Sequence, residues 1–219
     1  MASKPNKTEL HILEQYRNAF ENSRNQPVIK QQVAQFGYTE EKLDEGWNIY
    51  QNTMSVWNRN KQEDRETADA YRRFQDLYQQ QEALYIMDRK KLRAAFIWEP
   101  EVLKKLGITG EKPRAYLEVM DHMKVCYGCM KEDEELQAKV AHMQITPEYL
   151  TESLDRISAI EQVRSLYVRE ECESQAATDE KDQALAQLDR WMREYLAVAR
   201  IALEDQPQLL EALGIVVRN

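Results

Sequence analysis

The sequence predicts an all-α protein built from two tandem copies of one helical-bundle unit. Its 219 residues include only six glycines and six prolines, whereas a β-rich chain of this length needs many more turn residues. Short phrases recur at a constant separation of 107 residues. Apolar residues also recur at steps of three and four, which is typical of helices that bury one face.

Two phrases carry the repeat. Pro100–Ile108 (PEVLKKLGI) recurs as Pro207–Ile215 (PQLLEALGI), and Thr39–Leu43 (TEEKL) recurs as Thr146–Leu150 (TPEYL). Because a fixed period in a sequence is typical of repeated structural units, both phrases indicate a duplication. The alternative is chance similarity between helical segments, which draw on few residue types.

The repeat extends over most of the chain without a gap. Of the 99 positions in residues 10–108, 19 are identical in residues 117–215. We therefore predict one helical unit over residues 1–109 and a second over residues 110–219. The linker Thr109–Pro113 is short, so we expect the two units to pack together.

The start of each helix is marked by threonine or proline. Thr39 and Thr146 are predicted N-caps, since a hydroxyl there accepts a hydrogen bond from an amide of the first turn. Pro100 and Pro207 are predicted to open a short helix, where the missing N–H costs nothing.

The end of that short helix is marked by a Gly-Ile pair. Gly107 and Gly214 are predicted to take the left-handed conformation that ends a helix. Ile108 and Ile215 are then predicted to make the apolar contact that accompanies this motif. These residues are structural caps rather than ligand sites.

Between the caps, each unit is predicted to hold a first helix, a short helix and two long antiparallel helices. No glycine or proline occurs from Glu148 to Gln206, and a single soluble helix of that length is unusual. The polar stretches 58–67 and 170–179 are therefore predicted turns. The expected helices lie over about 8–24, 27–35, 40–60 and 66–97, and over about 113–130, 133–142, 147–169 and 176–204.

Charge and composition exclude several classes of protein. The net charge of −8 disfavours nucleic-acid binding, which depends on Lys and Arg neutralising phosphates. No segment approaches the roughly 20 apolar residues of a membrane span, and the polar N-terminus does not resemble a signal peptide. With three cysteines and no disulfide framework, we expect a cytoplasmic protein that binds neither nucleic acid nor membrane.

The two sequence halves differ in charge and aromatic content. Residues 1–109 carry 17 basic and 16 acidic side chains, whereas residues 110–219 carry 13 and 22. Three of the four tryptophans and all four phenylalanines lie in the first half. Unlike units favour head-to-tail contacts, which close into rings or extend into filaments.

His122, Cys126 and Cys129 are the strongest candidates for chemistry. Their spacing of four and three residues places them on one side of a helix, and a CxxC pair suits zinc or thiol redox chemistry. His142, Asp121 or a partner molecule would have to supply a fourth zinc ligand. The alternative is that Cys126 packs in the core with His122 and Cys129 beside it.

The basic run Asp88–Arg93 is a second candidate. It could contact phosphate, or it could be a solvated helix face placed where cations suit the helix dipole. No glycine-rich phosphate loop, GxSxG or HExxH motif occurs, so no reaction is indicated.

The segment Ala199–Ile215 resembles the C-terminal tail of a group of uncharacterised bacterial all-helical proteins. In both, a long helix ends in a Pro-x-x-Leu-x-x-Leu-Gly-Ile cap, and a weaker echo occurs at Arg93–Ile108. The echo departs at Phe96–Trp98, where the second copy has Leu203–Asp205. The resemblance implies a helical fold and no particular activity.

These observations predict a non-enzymatic structural or protein-interaction protein that self-assembles head-to-tail. Its expected partner is a second copy of itself, and no cofactor is expected. One alternative is a zinc or thiol protein using the His/Cys cluster, and the other is an adaptor for a different protein.

Overall fold

The computed structural model describes residues 8–217, and within that range it contains helices, turns and no strand. The prediction of an all-α protein is therefore confirmed. Among the described helices, none combines the length and the apolarity needed to cross a bilayer. In chain order the helices are α1 Glu9–Asn25, α2 Pro27–Ala34, α3 Glu40–Ala95, α4 Pro100–Lys105, α5 Tyr116–Lys131, α6 Glu134–Val140, a 3₁₀ turn Ala141–Met143, α7 Pro147–Ala202 and α8 Leu209–Ala212.

The predicted turns at residues 58–67 and 170–179 are wrong, because α3 and α7 are continuous helices of 56 residues each. Neither stretch contains a glycine or a proline, and its charged and amide side chains are ordinary helix formers. Pairs one turn apart also support the helix, such as Arg59 with Glu63 at 3.7 Å. Polarity alone therefore does not end a helix here.

The described chain forms two compact units whose boundaries fall inside α3 and α7. The terminal unit contains residues 8–64 and 173–217, and the central unit contains residues 65–172. The predicted units 1–109 and 110–219 are thus not the compact units of the structure. The reason is that neither long helix folds back, so each half of the chain contributes helices to both units.

Because each compact unit combines helices from both halves of the chain, the charge contrast predicted between residues 1–109 and 110–219 is not a contrast between the two units. Residues 65–172 carry 17 basic and 20 acidic side chains, a net charge of −3, and the remainder of the chain carries 13 and 18, a net of −5. The difference between residues 1–109 and 110–219 therefore does not describe two unlike bodies. Surfaces that differ between the two units are therefore to be found by comparing equivalent positions rather than net charges.

The terminal unit packs α1, α2, the first part of α3, the last part of α7 and α8 around an aromatic core. Phe20 lies 5.1 Å from Trp191, and Trp191 stacks on Tyr195 at 5.5 Å, measured between ring centroids. The Asn22 amide donates to the Ala212 carbonyl at 2.7 Å and ties α1 to α8. Aromatic pairs of this kind add to the free energy of apolar burial.

The central unit packs α5 and α6 with the second part of α3 and the first part of α7. Its core is aliphatic and methionine-rich along α5, where Met120, Met123 and Met130 are buried. Phe96 and Tyr127 are fully buried beside them. The Arg156 guanidinium donates to the Gln81 amide oxygen at 3.0 Å and joins α7 to α3 inside this unit.

The polar stretches of α3 and α7 are lined by interhelical hydrogen bonds. In the terminal unit, Asn60 donates to Thr178 at 3.0 Å and Ser174 donates to Asp64 at 2.8 Å. In the central unit, Thr67 donates to the Glu170 carbonyl at 3.0 Å. The polar composition that resembled a turn is thus a helix–helix contact.

Backbone features recur at the 107-residue spacing. The bounds Glu40–Ala95 and Pro147–Ala202 correspond residue for residue. Left-handed backbone occurs at Gly37 (φ 88°) and at its equivalent, Gln144 (φ 66°). Both residues lie in the connection that precedes a long helix.

The predicted cap residues lie at helix ends. The Tyr149 amide donates to the Thr146 hydroxyl at 3.3 Å, whereas Thr39 precedes α3 and accepts through its carbonyl. Pro100 is the first residue of α4, but Pro207 lies in a turn two residues before α8 begins.

The Gly-Ile pairs close α4 and α8 in the same way. Gly107 and Gly214 have φ of 65° and 77°, a conformation that favours glycine. The amides of Ile108 and Ile215 each donate at 3.0 Å to the carbonyl five residues earlier, which is the hydrogen bond of a Schellman motif.

Candidate functional site

The predicted metal residues lie on α5 in the central unit, at different depths. Cys126 is fully buried in the core, and Cys129 and His122 are half-buried. The Nδ1 atom of His122 is buried and makes no hydrogen bond with the part of the chain that the structure describes. Cys172, the third thiol, is exposed on α7.

The structure does not gather these side chains into a ligand set. Over residues 8–217, no group of three His, Cys, Asp or Glu ligand atoms within 4.8 Å of one another includes His122, Cys126 or Cys129. Burial raises the pKa of the Cys126 thiol to about 12, so the thiol is protonated at neutral pH. Zinc binds the thiolate, and it would first have to displace that proton.

The basic run is largely engaged within the central unit. Arg89 donates to the Gly110 carbonyl at 2.6 Å, and Arg93 donates to the same oxygen at 3.3 Å. Lys91 pairs with Asp88 at 3.3 Å. The run therefore holds the connection between α4 and α5 in place, and Lys90 and Arg93 are its exposed members.

Asp88 is the centre of a buried polar cluster that sequence reasoning did not identify. The Tyr127 hydroxyl donates to its Oδ2 atom at 2.9 Å, and the Tyr149 hydroxyl donates to the same atom. Burial, followed by interactions with Asp88, raises the pKa of both tyrosines, that of Tyr149 to about 12. The sequence does carry a signal for the burial of Asp88, though not for its partners: Asp88 shares a helix face with Tyr85 and Leu92 at steps of three and four.

The equivalent position in the terminal unit has different chemistry. Tyr195 stands 107 residues after Asp88 and shares a buried hydrogen bond with Ser23. One unit thus joins its long helix to its first helix through a carboxylate, and the other through two hydroxyls. The Asp88 cluster is satisfied internally, so we assign it to packing.

Exposed side chains at the ends of the two long helices form a second kind of candidate site. The α3 stripe runs along the last turns of α3 and into the following turn, at steps of three, four, three and one. All five of its residues are exposed: Met87, Lys90, Ala94, Ile97 and Trp98. Trp98 is 90% exposed and Ile97 is 63% exposed, which is unusual for large apolar side chains.

The equivalent positions of the terminal unit form the α7 stripe. Its five exposed residues are Glu194, Ala197, Ile201, Glu204 and Asp205. The α3 stripe therefore carries one positive charge, and the α7 stripe carries three negative charges. Arginine occupies the same flanking position beside both stripes, at Arg93 and Arg200, so it does not account for the contrast.

A surface concavity in the terminal unit has a volume of about 610 Å³. Three carboxylates, those of Glu41, Asp44 and Glu45, lie on one side of it, and the rest of its lining is Asn48, Ile49, Asn52 and Gln187. Its lining includes no Ser, Thr, Cys, Lys or His side chain, so the activated hydroxyl, thiol and amine nucleophiles are not present in it.

Comparisons with protein-family models, with curated proteins and with solved structures found no match.

Proposed function

We propose that this chain is a non-enzymatic protein-interaction protein that associates with copies of itself head-to-tail, into a ring or a filament. The observation that carries the proposal is the pair Ile97 and Trp98, which leave large apolar surfaces in water. Tryptophan is enriched at the energetic centres of protein interfaces, and exposed apolar patches commonly mark interaction sites.

The unlike character of the two stripes supports a head-to-tail arrangement. A dimer that set two α7 stripes against each other would bring six carboxylates together. An α3 stripe set against an α7 stripe joins opposite charges instead. In a head-to-tail arrangement, such a contact leaves one stripe of each copy free, so association continues until a ring closes.

We also infer that the chain arose by tandem duplication, with helices exchanged between the resulting units. The equal bounds of α3 and α7, and the left-handed pair Gly37 and Gln144, support this inference. A duplication provides two stripes of the same backbone geometry, which are then free to diverge in side chains.

Light scattering across concentration and salt tests self-association directly. We expect the mass of the 25.9 kDa chain to rise with concentration beyond that of a dimer, and to rise less in high salt. A mass that stays at the monomer value across the whole range would refute the proposal. Binding to an unrelated protein without self-association would favour an adaptor instead.

Zinc binding at His122, Cys126 and Cys129 is the second candidate, and the buried Nδ1 atom of His122 without a hydrogen-bond partner favours it. The test is metal analysis of protein purified without chelator, together with zinc titration of the Cys126→Ser and Cys129→Ser double variant. Stoichiometric zinc that is lost in the variant would support the site. Wild-type protein that neither carries nor takes up zinc would refute it.

A further inference from the structure

We infer that the docking partner of the α3 stripe is the α7 stripe of a second copy of this chain. This inference rests on the proposed self-association and names the two surfaces that make it. It follows from the shape, the charge and the composition of two stripes that occupy equivalent positions on equivalent helices.

The two stripes are similar in shape. Each stripe follows the last turns of a long helix and has a small residue near its middle, Ala94 in one and Ala197 in the other. Small side chains allow two helices to approach closely and larger neighbours to interdigitate. Met87, Ile97 and Trp98 supply the large side chains of the α3 stripe, and Ile201 supplies an exposed apolar residue to the other.

The two stripes are opposite in charge. Lys90 is the one charged residue of the α3 stripe, and it forms no ion pair within residues 8–217. Over the same range, Glu194, Glu204 and Asp205 form none either. Contact between the stripes would give Lys90 carboxylate partners, whereas two α7 stripes would repel each other.

A second copy fits better than a partner of other chemistry. The acidic residues of the α7 stripe occur at the positions of Met87, Ile97 and Trp98, so one copy carries both complementary surfaces. A partner of other chemistry that matched only the α3 stripe would not explain why the equivalent positions of the α7 stripe are acidic. The contact involves few residues and is smaller than a standard interface of roughly 800 Å² per partner, so we expect association at about 100 μM rather than at nanomolar concentration.

Sedimentation velocity of the full chain tests the inference. In the first variant, Ile97→Glu with Trp98→Asp gives the α3 stripe the residues found at the equivalent α7 positions. We expect association to weaken at least about tenfold, because apolar area is lost and carboxylates then face carboxylates. The matched control is Leu117→Glu, which changes an exposed apolar residue on α5 of the same unit and should leave association unchanged.

A charge reversal identifies the partner surface. Glu204→Lys with Asp205→Lys should weaken association about as strongly as the first variant, since Lys90 would then meet like charge. Adding Lys90→Glu to that variant should restore part of the loss. Far-UV circular dichroism and thermal melts check that each variant folds.

The outcomes separate this inference from the proposed function. If the wild-type chain is monomeric throughout, self-association is refuted and the inference fails with it. If the wild-type chain associates but the stripe variants do so equally, self-association stands and the inference is overturned. It is also overturned if only the Ile97 and Trp98 changes matter, because the acidic stripe is then not the partner.

Discussion

At the scale of single residues, Gly46 lies directly against the Trp191 ring in the terminal unit. A Cβ atom at position 46 would overlap the Trp191 ring, and Trp191 is itself packed against Phe20 and Tyr195. Helix α3 can approach α7 this closely only with glycine at that position.

Gly46→Ala should therefore destabilise the protein even though alanine is the better helix former. We expect a loss of about 1–3 kcal/mol in the free energy of unfolding from overpacking. Gly128→Ala is the matched control, because Gly128 is also helical and nothing lies within 4 Å of its added Cβ. That change should stabilise by about 0.5–1 kcal/mol. Urea titration measures both, and a neutral Gly46→Ala would contradict the packing.

Asp88→Ala tests the buried polar cluster of the central unit. The change leaves the Tyr127 and Tyr149 hydroxyls without their acceptor, and we expect a loss of about 2–4 kcal/mol, measured by chemical denaturation. Asp76→Ala removes an exposed carboxylate from the same helix and should stay within about 0.5 kcal/mol of wild type. Equal effects of the two changes would mean that the cluster is not buried as described.

The buried tyrosines predict a loss of stability at high pH. Burial raises the pKa of Tyr195 to about 12 in the folded chain, against about 10 for an unfolded tyrosine. Because the folded pKa is the higher one, its contribution is complete below pH 10 and is lost as the pH rises through 12. The absorbance of the Tyr195 phenolate should appear only as the protein unfolds at high pH. The Tyr195→Phe variant should lack this late increase in phenolate absorbance. Free titration of every tyrosine near pH 10 would contradict its burial.

Cap residues could be predicted from sequence, whereas the chemistry of Asp88 could not. Gly107 and Gly214 require only local backbone geometry, and a Gly-Ile phrase carries that information. The hydrogen bonds of Asp88 come from α5 and α7, which are distant in sequence, so no local pattern specifies them. In the same way, the exposure of Trp98, in the turn after α3, depends on which surface the other helices cover, and no local pattern specifies that.

At the scale of elements, the continuity of α3 and α7 is the main departure from the sequence prediction. The prediction of turns in the polar stretches 58–67 and 170–179 rests on the rarity of so long a single helix in a soluble domain. In fact they bond to each other, as in the pair Asn60 and Thr178. Nothing local distinguishes a polar helix–helix contact from a solvated turn, so a partner distant in sequence decides the outcome.

Hydrogen exchange of backbone amides tests this continuity. We expect the amides of residues 58–67 and 170–179 to be protected, since each bonds within a helix. The connection at residues 109–115 has no helical bonds and serves as the internal reference. If amides in the two polar stretches exchanged as fast as those in residues 109–115, the helices would not be continuous there and the predicted turns would be supported.

At the scale of the whole molecule, the repeat found in the sequence and the units found in the structure are different partitions of one chain. The bounds of the long helices and the left-handed residues recur at the 107-residue spacing, but each compact unit combines pieces of both halves. The course of the long helices, rather than that spacing, therefore decides which segments pack together. Local contrasts between equivalent positions, rather than net charge per half, are then the features that distinguish the units.

The central claim is that this chain assembles head-to-tail through two unlike stripes. Electron microscopy of the wild-type protein in low salt, at and above about 100 μM, tests it most directly. We expect rings or filaments that disappear when Ile97 and Trp98 are replaced by Glu and Asp. Particles that remain monomers, or stop at a closed two-fold dimer, would contradict it.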